Sequence, residues 1–453
     1  MNALTLKMSP LFVLAACANQ EQAPVNITNE INNEITVDNG CCGCEDEDPC
    51  AEDEDPCAGD DTGEPGDTGE PGDTGEPGDT GEPDPVYEDV FEVTEYRLDL
   101  EVNQVDVTFL VDTTGSMSST ANAMASEFGD IVDELAVSIP DGAYGYGTFD
   151  DYNYEGLGGS VDRPFILQQQ VTTDQVPVQA ALDATTIHYG ADTPESSIEG
   201  LFQALTGYGY DQNADGALDP DTDVPPFIAS ADDVFSGAVP GIDDPSTVGG
   251  GQIGGFGFRD GSLPVIVYAT DAYLRDPDAG YTVPPDASYA AGSDDVIDEA
   301  TDLGARLIGV STGSGLGLAQ MTDLAVATDS LYEADADGLV DDPLVFSWAG
   351  SSSAFRSTIV EAIEGMLENV TFSSVTAVVT GNVYGFTTSV SPASYSSVTV
   401  GSTPVLLDFG VEISGSVAAS TVDQTFPLTL EIYGDGTTLL GTQDLTFTVP
   451  ASL

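Results

Sequence analysis

The residues best placed for chemistry stand where apolar runs stop. Val105 to Val111, written VDVTFLV, is almost continuously apolar and ends in Asp112, and the loop Asp112-Thr113-Thr114-Gly115-Ser116 then offers a carboxylate and hydroxyls. Val265 to Asp271, VIVYATD, is a second apolar run ending in an acid. The carboxyl ends of buried strands are where open parallel sheets collect their ligands. A different spacing occurs in Asp211-Gln212-Asn213-Ala214-Asp215-Gly216, followed by Asp219. Acids or amides at positions 1, 3, 5 and 9, with Gly at 6, meet the demands of an EF-hand-type calcium loop. Position 12 is Thr222 rather than Glu, with Asp221 or Asp223 as substitutes, which predicts weak Ca²⁺ binding, roughly millimolar as in extracellular modules. Asp335-Ala336-Asp337-Gly338 is a looser echo with too few spaced ligands.

The sole histidine, His188, rules out His-rich zinc sites and leaves a Ser-His-Asp triad a single base. No nucleophile stands beside it in sequence and no Walker loop occurs, so the chain reads as a binding protein and not an enzyme.

These residues need a scaffold of alternating strands and helices. Strands are expected at Val105 to Val111, Tyr144 to Phe149, Phe165 to Val171, Val265 to Thr270 and Leu307 to Ser311. Helical spacing runs through Ala121, Met124, Phe128, Ile131, Leu135 and Val137, within Ser118 to Ile139, and recurs at Ser196 to Leu205, Asp294 to Leu303, Leu318 to Ala327 and Ala354 to Leu367. The expected fold is a doubly wound α/β domain over 97–370 with an insertion at about 208–261, of which Asp223 to Gly261 is Gly-rich and patternless and is expected near the metal face. After Asn369 the composition turns to Val, Thr, Ser and Tyr with period-two runs, which predicts an all-β sandwich over 371–453.

Asp112-Thr113-Thr114-Gly115-Ser116-Met117 resembles the metal-ion-dependent adhesion site of von Willebrand factor A domains, whose pattern is Asp-x-Ser/Thr-x-Ser. The resemblance implies that Asp112, Thr114 and Ser116 supply hard oxygen ligands suited to Mg²⁺ or Mn²⁺, aimed at one point by their alternate spacing. Asp271 matches the family's Thr-Asp loop, where the acid binds through water. Asp192-Thr193-Pro194-Glu195 is similar to the Asp-x-Pro-Glu of integrin β-subunit domains, which makes Glu195 the fifth ligand. An alignment through Thr193 competes, but Glu195 stands at the better distance from Leu201, where the helical core starts. The same likeness places Asp151 and Asp192 at a second, supporting cation. Ser119 and Thr120 replace the acids of a third, which is therefore expected to be absent.

The first 17 residues, MNALTLKMSPLFVLAAC, carry a basic Lys7, an apolar stretch and two small residues ahead of Cys17. This resembles a bacterial lipoprotein signal and implies cleavage before Cys17 and lipidation of that residue; Ala18 in place of Asp favours the outer membrane. The apolar core, Leu11 to Ala16, is short for a signal peptide, as a start codon placed too late would make it. Residues 18–96 read as a disordered acidic linker, with four DTGEP units beginning at Asp61, Asp67, Asp73 and Asp79. As a flexible coil it reaches on the order of 50 Å. It holds Cys41, Cys42, Cys44, Cys50 and Cys57, whose spacing and acidic neighbours fit disulfides better than zinc. The odd count leaves one thiol for internal reshuffling, a disulfide-linked dimer or a partner.

With 79 acidic residues against 7 basic ones, the formal charge of −72 repels phosphate backbones and excludes nucleic acid as a partner. The resemblance implies adhesion: a cation with one open coordination position accepts an Asp or Glu of a protein ligand, on a lipid-anchored protein of a Gram-negative envelope. The alternative is a structural or calcium-binding envelope protein whose A domain is only a scaffold.

Overall fold

A computed structural model describes residues 86–452, apart from 155, 220–221, 230–234, 236, 286–288, 314, 336 and 402. Cys17, the five linker cysteines and the DTGEP repeats lie outside the described residues.

The α/β part is built on a six-stranded sheet. Its strands are β2 (Gln104–Asp112), β3 (Asp141–Phe149), β4 (Ile166–Thr172), β6 (Leu263–Thr270), β8 (Arg306–Thr312) and β11 (Val345–Trp348), in the spatial order β11-β8-β6-β2-β3-β4. All neighbours are parallel except β3 and β4. From β2 the chain moves outward to β3 and β4, then returns to lay β6, β8 and β11 on the other side. The order therefore reverses between β2 and β6, and the crevice beyond their carboxyl ends is the topological switch point. Every residue of β6 is buried, as is every residue of β2 after Gln104, which explains their unbroken apolar runs.

Helices cover both faces. On one side α1 (Ser118–Leu135) and α6 (Ser352–Leu367) bury Phe128, Ile131, Ile359 and Ile363 against Val107, Phe109 and Val111. On the other, α3 (Ser197–Thr206), α4 (Ser293–Leu303) and α5 (Leu318–Ala327) bury Leu201, Val296 and Met321 against Leu110, Ile266 and Leu307. A short α2 (Gln175–Asp183), capped by Asp174 accepting from Val176 N at 3.0 Å, has no counterpart among the expected helices. The pairing of β5 (Pro194–Glu195) with β7 (Tyr273–Leu274) draws the Glu195 loop to the segment after Asp271. A further two-residue pair joins β9 (Leu331–Tyr332) to β10 (Asp342–Pro343).

The β-sandwich packs a four-stranded antiparallel sheet against a three-stranded one. The first is β14 (Tyr395–Gly401), β12 (Asn369–Thr380), β16 (Gln424–Gly434) and β17 (Thr438–Val449). The second is β1 (Tyr87–Leu100), β15 (Val405–Ala418) and β13 (Thr387–Ser391). Here the expected boundaries are corrected. Residues 87–96, assigned to the linker, are the larger part of β1, which pairs with β15 from Tyr87 opposite Ala418 to Leu100 opposite Val405. The sandwich thus starts before the α/β domain and closes after it. The signal was masked because β1 carries apolar side chains on both faces: Tyr87, Phe91 and Val93 point outward while Val90 and Leu98 point in, with acids between.

The insertion divides. Its calcium-loop part lies near the carboxyl ends of the parallel strands, where Asn153 N donates to Gln212 Oε1 at 2.8 Å. The stretch after it instead lies along the edge strand β4, with Gln170 Nε2 bonded to Asp244 O and Thr172 Oγ1 to Val248 O. Phe256 and Phe258 are buried there, so this stretch completes the core and does not crown the metal face as expected. Among the described residues, no helix is long and apolar enough to cross a membrane.

Candidate metal centre

Asp112 is the last residue of β2 and is wholly buried. Its Oδ1 accepts from Thr114 N and Thr114 Oγ1, both at 2.8 Å, and its Oδ2 accepts from Thr270 Oγ1 at 2.6 Å. The first loop and the end of β6 thereby fix one carboxylate from two sides. Ser116 sits in the single 3₁₀ turn Gly115–Met117 and donates from Oγ to Asp271 Oδ1 at 2.9 Å. Ser116 is exposed and Asp271 half-buried, so this side of the centre faces solvent.

Glu195 closes the centre from the third loop. It is 5% exposed, it hydrogen-bonds to Thr114, and the Asp112 charge bears on it. Its Oε2 is buried and without a hydrogen-bond partner. Gly190 permits this approach: a Cβ there would meet Glu195 Oε1 at 3.2 Å and Thr114 Cγ2 at 3.3 Å, and its φ of +63° suits glycine. Burial pushes the Asp112 carboxyl well above the usual carboxylate range, against the hydrogen bonds from Thr270 and Thr114, and Asp271 adds to the rise. Glu195 is driven up by burial first, then by the charges of Asp112 and Asp151. Two buried carboxylates, the charge of Asp112 raising Glu195 and Glu195 carrying an orphaned oxygen, form an environment that a cation or protons must neutralise. The donors are carboxylates and hydroxyls, the hard oxygen set that suits Mg²⁺ or Mn²⁺. Asp112, Thr114, Ser116, Glu195 and Asp271 are thus linked by hydrogen bonds and charge around one strand-end crevice, and their donor set suits a divalent ion.

The second cation site is corrected. Asp151 and Asp192 do converge, but on a guanidinium. Arg275 Nε and Nη2 bind Asp151 at 3.0 and 2.6 Å, and Nη2 also binds Asp192 Oδ1 and the Pro194 carbonyl, the latter at 2.6 Å. Ser196 Oγ adds a 2.5 Å hydrogen bond to Asp151 Oδ1. The protein's own cation fills the place where a metal was expected. Arg275 was missed from the sequence, although a basic residue four positions after Asp271 in a chain with 7 Lys and Arg was a signal. Thr270 was missed too, its role visible only once β6 lies beside β2.

The calcium-loop residues are tied together by backbone N–H donation to their side-chain oxygens. Gly216 N donates to Asp211 Oδ2 at 2.7 Å, Asp215 N to Asn213 Oδ1 at 3.0 Å and Ala217 N to Asp215 Oδ1 at 2.8 Å. Asp211 Oδ1 is buried without a partner. Asp223, wholly buried, reaches back into the loop and accepts from Asp219 N at 2.8 Å and Gln212 N at 3.3 Å. Of the two substitutes for position 12, Asp223 closes the loop, while Asp221 lies outside the described residues.

Among the described residues, two groups of three His, Cys, Asp or Glu side chains bring ligand atoms within 4.8 Å of one another, and neither includes Asp112, Glu195 or Asp271: Asp150, Asp162 and His188, and the more exposed Glu333, Asp335 and Asp337. His188 Nδ1 lies 2.7 Å from Asp150 Oδ2, and that hydrogen bond holds the imidazole pKa above its ordinary value against the effect of burial.

No protein-family model matches the chain, and no curated protein does. Among solved structures it is similar to the ArnB paralog VWA2 from Sulfolobus acidocaldarius, at 11% identity over 81% of this chain and 76% of that one, with a TM-score of 0.32. It is also similar to proximal thread matrix protein 1 from the mussel byssus. One crystal form is 13% identical over 62% of this chain and 51% of that one, TM-score 0.30. The form with a zinc-occupied MIDAS motif is 11% identical over 59% and 48%, TM-score 0.31.

Proposed function

We propose that this chain is a lipid-anchored envelope protein whose von Willebrand A-type domain holds Mg²⁺ or Mn²⁺ on Asp112, Thr114, Ser116, Glu195 and Asp271. The cation binds a protein ligand through an Asp or Glu of that ligand, in cell adhesion or another protein–protein interaction. The observation that carries this reading is the buried, unpartnered Glu195 Oε2 beside the buried Asp112 carboxylate, with Ser116 and Asp271 left toward solvent. A cation supplies the attraction that a surface of net charge −72 denies to an acidic side chain. The role is binding and not catalysis.

Asp112→Ala tests the reading. The variant should stay cooperatively folded, because the sheet packs independently of its loops, yet lose tight Mg²⁺ or Mn²⁺ binding in calorimetric titration. It should also fail to retain the partner that the wild type captures from cell-surface extract in Mg²⁺ and releases in chelator. Equal metal affinity in the variant removes the central claim. The anchor is tested separately: Cys17→Ser should move the protein out of the membrane fraction.

A second reading, a calcium-binding envelope protein with a scaffold A domain, is favoured by the orphaned Asp211 Oδ1. Partner capture that is indifferent to Asp112→Ala and to chelator would establish it in place of the first.

A further inference from the structure

We infer that Asp150, Asp162 and His188 form a separate cation site for a borderline transition ion such as Zn²⁺, beside the adhesion loop but sharing no ligand with it. The three residues come from three segments: Asp150 directly follows β3, Asp162 lies in the connection to β4, and His188 lies between α2 and β5. Each offers one ligand atom, and those atoms lie within 4.8 Å of one another. Both carboxylates are wholly buried, while the His188 side chain is 19% exposed and gives the pocket its opening.

Asp162 carries the argument beyond clustering. Its Oδ2 accepts from Gly159 N at 2.6 Å, but its Oδ1 is buried with no hydrogen-bond partner. One of its carboxylate oxygens lies within 4.8 Å of the ligand atoms of Asp150 and His188, and the Gly190 backbone also hydrogen-bonds to this carboxylate. A buried carboxylate oxygen without a donor is a costly arrangement unless something positive occupies the space it faces. Binding an ion replaces the hydrogen bond between His188 and Asp150 and releases the imidazole proton, after which two carboxylates and one neutral imidazole balance a divalent charge. The imidazole nitrogen selects against Mg²⁺ and Ca²⁺, which prefer oxygen, and suits Zn²⁺ and its neighbours.

Thr113 ties this site to the adhesion loop. Its Oγ1 donates to Asp150 Oδ1 at 2.7 Å, and its carbonyl accepts from His188 N at 2.7 Å. An ion here therefore fixes the residue that precedes Thr114. The inference does not rest on the proposed adhesive function.

Because His188 is the sole histidine, one labelled imidazole reports the site. The full chain, free of any histidine tag and labelled with ¹⁵N-histidine, is titrated with buffered Zn²⁺ and followed through its imidazole nitrogens. Neither the linker thiols nor Asp112 can supply that signal. The expected result is conversion to the shifts of a metal-bound neutral imidazole, in the wild type and equally in Asp112→Ala. In Asp162→Asn, an isosteric change, conversion should need more than about tenfold higher free Zn²⁺. Should that variant not fold, His188→Gln in the Asp112→Ala background should abolish the Zn²⁺-induced rise in melting temperature. Imidazole signals that Zn²⁺ leaves unmoved would overturn the inference and reduce His188 to the ionic partner of Asp150. So would equal conversion in wild type and a folded Asp162→Asn.

Discussion

Arg275 grips both carboxylate oxygens of Asp151, Nε at 3.0 Å and Nη2 at 2.6 Å, with the two side chains 2% and 0% exposed. The same guanidinium reaches Asp192 and the Pro194 carbonyl, so it binds the strand-end loop after β3 to the loop that delivers Glu195. Removing one partner of a buried ion pair leaves an uncompensated charge, at a cost of about 3–5 kcal/mol. Arg275→Ala should therefore lower stability by about that amount in chemical denaturation. It should also leave Asp151, Asp192 and a carbonyl oxygen as hard donors around a hole, so Ca²⁺ or Mn²⁺ should restore part of the loss in the variant and add little at this place in the wild type. A variant as stable as wild type in chelator would show the ion pair to be incidental.

Much of this architecture was legible from residues alone, and the failures have physical causes. The strands that end at Asp112 and at Thr270, just before Asp271, announced themselves because both faces are buried, which turns a strand into an unbroken apolar run with a sharp end. The convergence of Asp112, Thr114, Ser116, Glu195 and Asp271 follows from placing those ends side by side at the switch point. β1 escaped because its inward and outward positions are equally mixed, so no alternation separates it from the acidic linker. Arg275 escaped because ligand counting from sequence looks for acids, and an acid pair does not say whether a metal or a guanidinium neutralises it. The Asp150, Asp162 and His188 group was beyond reach, since 38 residues separate the first from the last and only the fold closes that distance.

The buried carboxylates give the cation-free protein a pH dependence of definite sign. Glu195 has a folded pKa above its ordinary 4.5, and Asp112 one above 3.8, so between those values and the folded ones the native chain holds more protons than the unfolded chain. Their contribution is fully present below about pH 4 and is lost as pH rises. On the proposed function, a divalent ion takes the place of those protons. In thermal melts, the gain from saturating Mg²⁺ should therefore be larger at pH 8 than at pH 5, and Glu195→Gln should flatten the fall in chelator. If the gain were equal at both pH values, Glu195 and Asp112 would not be the groups that the ion replaces.

Asp223 reaches back into the Asp211 loop from one position beyond the twelfth. Its carboxylate is already spent on Asp219 N and Gln212 N, which favours a closed loop even without an ion and leaves Asp211 Oδ1 as the free oxygen. Ca²⁺ binding should then be weak, on the order of 10⁻⁴ to 10⁻³ M. Asp211→Asn should weaken it further while barely changing the melt without Ca²⁺, whereas Asp223→Asn should lower stability in both conditions. Calorimetry and melts with and without Ca²⁺ separate the two. Wild-type heat that Asp211→Asn leaves intact would place the ion elsewhere.

Tyr189 is 93% exposed, and its backbone carbonyl lies 3.4 Å from where a Cβ on Gly115 would stand, so an unburied aromatic borders the loop from Asp112 to Ser116. Exposed Tyr at the edge of a binding centre is the kind of side chain that dominates interface energetics, with truncation costs above about 1–2 kcal/mol. Tyr189→Ala should weaken capture of the protein ligand by roughly tenfold, the equivalent of about 1.4 kcal/mol, with Mg²⁺ affinity unchanged. Equal loss of metal and partner binding would mean that Tyr189 supports the loop and does not touch the ligand.

Salt separates a cation-mediated interface from one built on opposite charges. At −72 the surface repels an approaching acidic partner over about one Debye length, roughly 10 Å at 0.1 M salt, and added NaCl shortens that reach. The contact between the ligand carboxylate and the bound ion is short and shielded by its coordination shell, so salt screens it far less. With Mg²⁺ held constant, raising NaCl should leave partner affinity unharmed or increase it, mostly through a faster association rate. A partner that wraps its key acid in basic residues should show the opposite, a steep loss with salt. Surface plasmon resonance at low and high NaCl, on wild type and Asp112→Ala, distinguishes the two. If affinity falls steeply with salt and survives Asp112→Ala, the interaction is carried by the acidic surface, and the metal centre is not its source.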